Sequence, residues 1–140
     1  MILFLIIVFL LNIAFFQLYI TGLFNLKHYD ATKELNNIKD KMPFLYDDTT
    51  LILYTTKKIS LNPLLFNRKE YVGVYFPKLN IIIVYSKKEI ELTLVHEFAH
   101  RYFFTKITEE EKLYYKELCN CEDVNEFYAQ EIEKTYNNIQ

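Results

Sequence analysis

The five residues His96-Glu97-Phe98-Ala99-His100 form an HExxH motif, and the organisation of the chain is read outward from it. Two histidines four residues apart on a helix point the same way, so their imidazoles can take two corners of one tetrahedral Zn²⁺ site. Glu97 lies about 100° further round the helix. It is placed there not as a ligand but as a general base, able to take a proton from a water that the metal activates. Just upstream, Ser86-Lys87-Lys88-Glu89 reads as a capping box, which starts the helix after Ser86 and puts the motif in its third and fourth turns. Leu94, Val95, Phe98 and Tyr102 then fall on the side away from His96 and His100.

Before this helix, Leu51-Ile52-Leu53-Tyr54-Thr55 reads as a short strand. Tyr71-Val72-Gly73-Val74-Tyr75-Phe76 and Asn80-Ile81-Ile82-Ile83-Val84-Tyr85 read as a hairpin turned at Pro77-Lys78-Leu79, with Gly73 marking a bulge. The segment Lys57 to Lys69, with Asn62-Pro63, reads as a loop. Asp30 caps a helix to about Lys41 whose apolar face, Tyr29, Ala31, Leu35, Ile38 and Met42, would back the sheet. Beyond the motif, Thr108 and three glutamates start a helix ending near Leu118, and a last helix runs from about Glu122 to Tyr136.

From Met1 to Leu26 no side chain is charged, which predicts a transmembrane helix, since about 20 apolar residues span a bilayer. A signal peptide fits less well, because the basic start and the small-residue cleavage site are absent. Lys27, Lys33, Lys39 and Lys41 follow the span and none precedes it, so the positive-inside rule sets a single-pass membrane protein with its domain in the cytoplasm. The chain thus divides into an anchor, residues 1–26, held in the lipid bilayer, and one domain, residues 27–140.

A net charge of −2 and the lack of a basic stripe with interleaved aromatics argue against a nucleic-acid partner. The charge is uneven: from Ile107 onward there are 3 basic and 9 acidic residues, which is a solvated face or the source of a metal ligand. Cys119 and Cys121 stand one residue apart, a spacing poor for a disulfide framework that predicts free thiols in a reducing compartment.

A catalytic zinc takes three protein ligands. No histidine follows His100, and His28 precedes the whole domain, so the third ligand must be an oxygen or sulfur further on. The candidates are Glu109 to Glu111, Glu117, Cys119, Cys121, Glu122, Asp123, Glu126, Glu131 and Glu133. Glu126 leads, because an acid beside the packing residues Phe127 and Ala129 needs a charge partner to justify burial. Glu122, one turn earlier, is the runner-up, either as ligand or as acceptor for a histidine N–H.

The motif, followed 26 residues later by Asn125-Glu126-Phe127-Tyr128-Ala129-Gln130, resembles the gluzincin clan of zinc metallopeptidases and is most similar to the minigluzincins. The resemblance implies an α+β, zincin-like domain of a backing helix, an approximately three-stranded sheet, the motif helix and a glutamate helix. It implies His96, His100 and Glu126 as Zn²⁺ ligands, Glu97 as base and hydrolysis of a peptide or protein substrate. Gln130 departs from the clan, several members of which carry there an aspartate that orients a ligand histidine. The substrate would extend the sheet along Asn80 to Tyr85, with Tyr114, Tyr115 or Tyr128 as oxyanion donor. The alternative is a latent or inactive zinc-binding module that acts by binding protein.

Overall fold

The computed structural model describes residues 2–20, 26–55 and 72–139. Among them the chain is α+β, with five helices and one four-stranded mixed sheet. The elements are α1 (Ile2–Ile20), β1 (Lys27–His28), α2 (Thr32–Lys41), β2 (Leu51–Tyr54), β3 (Gly73–Phe76), β4 (Ile81–Val84), α3 (Ile90–Thr105), α4 (Glu109–Cys119) and α5 (Val124–Asn138). The sheet order is β1-β2-β4-β3, with β2 and β4 parallel and the other neighbours antiparallel.

The sheet therefore has one strand more than the sequence suggests. β1 is two exposed residues, too short to show the alternation by which strands are recognised. It pairs Lys27 with Tyr54 and His28 with Leu53. The loop expected over Lys57 to Lys69 and the start of the Tyr71 strand lie outside the described residues.

The anchor is corrected. Among the described residues no helix is long and apolar enough to cross a membrane. With the transmembrane helix go the single-pass membrane topology and the cytoplasmic orientation inferred from it.

α3 is the centre of the molecule. It packs on β3 and β4 on one side, α5 lies along another, and α2 sits beside it. Leu94, Val95, Phe98 and Ala99 are fully buried, and each of the larger side chains contributes about 1.5–3 kcal/mol by leaving water. Thr93 and Glu97 are buried as well, so α3 is covered on most of its circumference rather than on one stripe. Two polar clusters tie the surrounding elements to it. Glu91 accepts from Asn37 of α2 and Tyr136 of α5, and Arg101 pairs with Asp47, 2.8 Å away, before β2.

α3 begins later than the capping box predicts. Ser86 Oγ accepts from the Lys88 N–H, and Glu89 turns into the left-handed region at φ 51°, so the first helical residue is Ile90. The motif sits accordingly in the second and third turns. Thr108, in contrast, does form a capping box, its hydroxyl and the Glu111 carboxylate satisfying each other's backbone N–H. The cysteines are not free: Cys119 and Cys121 form a disulfide. Asn120 between them is left-handed, at φ 48°, which folds the chain back and brings their Cα atoms to 5.1 Å, within disulfide reach.

Candidate metal centre

α3 presents His96 and His100 one turn apart, with their Nε2 atoms 3.1 Å from each other. α5 crosses them and brings in Glu126, whose Oε2 lies 3.4 Å from Nε2 of His100 and 3.6 Å from Nε2 of His96. Neighbouring corners of a tetrahedron built on 2.0–2.1 Å bonds are about 3.3 Å apart. These three donors have that spacing, and they form a group that could bind a metal ion.

α5 reaches this place for local reasons. Asp123 caps it, Oδ1 accepting from the Glu126 N–H at 3.0 Å, while Tyr128, Ala129 and Tyr136 are buried in the core. The donors in turn are held by their neighbours. Nδ1 of His96 is 3.0 Å from Oε2 of Glu133. Burial lowers the pKa of His100, which favours the neutral ring, and its buried Nδ1 has no hydrogen-bond partner among the described residues. Gln130 Nε2 donates to Oε1 of Glu126 at 2.9 Å, leaving Oε2 toward the histidines.

Glu97 turns from the two histidines toward β3 and is 5% exposed. Burial, reinforced by the nearby charge of Glu126, pushes its pKa up to about 8, although a Tyr75 backbone N–H bonds the carboxylate and works the other way. Gly73 makes room for it. The glycine pairs in regular register with Val84, so it marks no bulge; it lets β3 come close to Thr93 and Glu97. His96, Glu97, His100 and Glu126 share one cleft of about 370 Å³, walled by Val72, Val74, Leu92 and Phe104.

His96, Glu97, His100 and Glu126 are thus brought together, and several other expected residues are not. Asp123 is spent as a cap, and Glu122 is exposed before α5 begins. His28 is exposed on β1. Tyr114, Tyr115 and Tyr128 stack on one another or on Phe103 and do not line the cleft. β4 is an interior strand between β2 and β3, so the sheet edge beside the cleft is β3 instead. The role of Glu133 was missed, although its separation of seven residues from Glu126 places both on one face of a helix. The chain matches no protein-family model, and it has no significant similarity to curated proteins or to solved structures.

Proposed function

We propose that the chain is a zinc-dependent peptidase of the gluzincin type, with His96, His100 and Glu126 holding Zn²⁺ and Glu97 as general base. The observation that supports it is the convergence of two imidazole nitrogens and one carboxylate oxygen at 3.1–3.6 Å from each other, in a cleft that also holds a second, buried carboxylate, Glu97. Two nitrogens and an oxygen suit zinc, and they leave one corner of a tetrahedron open. When bound, the metal supplies a Lewis acid that polarises a water and the scissile carbonyl.

The chain's own residues have the remaining tasks. Glu97 accepts the proton of the attacking water and delivers it to the departing amine. It must be ionised to do so; a dication beside it opposes the burial that keeps it protonated in the metal-free protein. An extended substrate adds along the outer edge of β3, between that strand and α5, with Val72, Val74, Leu92 and Phe104 contacting apolar side chains.

The test is elemental analysis of the full chain beside Glu126→Ala, with hydrolysis of a peptide library by the parent and by Glu97→Gln. About one zinc per chain, lost in Glu126→Ala, and hydrolysis abolished in Glu97→Gln with zinc retained are expected. Zinc without hydrolysis of any peptide leaves a module that binds protein; absence of zinc from the folded chain sinks both readings.

A further inference from the structure

We infer that Glu133 is the positioning residue for His96, and that Gln130, at the place where the clan's orienting aspartate stands, positions the glutamate ligand instead. The inference rests on the metal-binding reading above and assigns the supporting contacts within that site.

A histidine that binds a metal through Nε2 must carry its proton on Nδ1, and an acceptor at Nδ1 fixes that tautomer and the plane of the ring. For His96 that acceptor is Oε2 of Glu133, at 3.0 Å, and its Nε2 is the atom that faces Glu126 and His100. Gln130 does not serve this purpose. Its amide is committed to Oε1 of Glu126 at 2.9 Å, which blocks one oxygen of that carboxylate and presents the other to the imidazoles. Residues 126, 130 and 133 are spaced i, i+4, i+7 and so form one stripe of α5. A single helix face therefore supplies the third donor, the group that turns it and the group that turns His96.

The two histidines are supported unequally. His96 has an anionic acceptor, and the buried Nδ1 of His100 has none among the described residues. A carboxylate acceptor makes a strong hydrogen bond and raises the basicity of the ligand nitrogen, so the metal should lean on His96 more than on His100.

The experiment measures Zn²⁺ affinity of the full chain by chelator competition, and the visible absorption of its Co²⁺ form, in Glu133→Ala, Glu133→Gln, Gln130→Asp and the double variant Gln130→Asp/Glu133→Ala. Glu131→Gln is the control for charge alone: it removes one negative charge from the same helix at a side chain paired with Lys134. Removing Glu133 should weaken zinc binding about 10- to 100-fold, as loss of such supporting groups does, and shift the Co²⁺ bands. Glu133→Gln, close in shape, should lie between Ala and the parent, and it carries the test should Glu133→Ala not fold. Gln130→Asp should not tighten binding, because it sets a carboxylate against that of Glu126, and it should not restore the double variant. Glu131→Gln should stay within twofold. The inference is overturned by a Glu133→Ala affinity within twofold of the parent, by Gln130→Asp tightening or rescuing, or by Glu131→Gln matching Glu133→Gln. A parent chain that binds no zinc is a different result, and removes the metal reading itself.

Discussion

A methyl group at position 73 has no space. A Cβ built on Gly73 would stand 2.7 Å from Cγ2 of Thr93, 2.9 Å from Oε1 of Glu97 and 3.0 Å from its Cγ. Thr93 is β-branched and buried, so it cannot turn aside, and β3 or Glu97 has to move instead. Gly73→Ala should therefore cost about 1–3 kcal/mol, the usual range for overpacking, read as a lower midpoint in denaturant. None of the three metal donors touches that methyl, so zinc per chain should equal the parent's while peptide hydrolysis falls. A variant that loses zinc and stability together would show instead that β3 braces the whole of α3. At this scale the sequence was informative about the donors and silent about their supports. His96, His100 and Glu126 could be put forward as candidate donors from residue type and spacing, and they form a group that could bind a metal ion. The contacts of Gly73 and Glu133 depend on how closely β3 and how steeply α5 meet α3, and neither is written in local pattern.

The helices were legible wherever their own residues decide them. Thr108-Glu109-Glu110-Glu111 and Ser86-Lys87-Lys88-Glu89 carry the same capping pattern, yet only the first starts a helix at once. The second follows directly on β4, and the chain must first leave the sheet, so tertiary connection overrides the local signal through Glu89. The Cys119–Cys121 bond is a comparable case. Asparagine is among the few residues that enter the left-handed region readily, and Cys-Asn-Cys was the signal that the spacing argument passed over. Its effect on the molecule should be small, because a three-residue ring removes little entropy from the unfolded chain, about 1.5 kcal/mol in the loop-closure treatment. α5 is positioned by its packing along α3 and by the Asp123 cap, neither of which involves sulfur. Replacing both cysteines by serine should lower Tm by no more than about 6 °C and leave zinc content unchanged. Loss of zinc on replacement would mean that the α4–α5 turn, rather than packing, sets where Glu126 lies.

Across the whole molecule, three sets of buried or half-buried ionisable groups act on stability in different pH ranges. Asp47 and Glu91 join the elements around α3; burial pushes both pKa values up, but hydrogen bonds from Thr50 and Thr49 with Arg101, and from Tyr136 and Asn37 with Lys41, outweigh it and hold them low. A lowered carboxylate pKa gives stability that is complete above the unfolded value near 4 and is lost as pH falls through the folded one. Asp47→Asn should therefore cost roughly 1–3 kcal/mol at pH 7 and progressively less as pH falls below 4, where the parent loses the same contribution. Glu97 has the opposite sign. Its pKa rises from 4.5 to about 8 on folding, so in the metal-free protein stability is complete below pH 4.5 and lost as pH rises through 8. His100, lowered by burial, contributes stability that is lost as pH falls below 6.5, which offsets part of the Glu97 slope there and none of it above. Between pH 6.5 and 8 the Glu97 term stands without that offset, at about 1.4 kcal/mol per pH unit, or roughly 2 kcal/mol over the interval. Denaturant unfolding of the chelator-treated chain should show that decline, and Glu97→Gln, which holds no titrating carboxylate, should flatten it while leaving the acid limb in place. A parent profile already flat from pH 6.5 to 8 would mean that water reaches Glu97 behind β3, and that the close approach of Gly73 does not seal it.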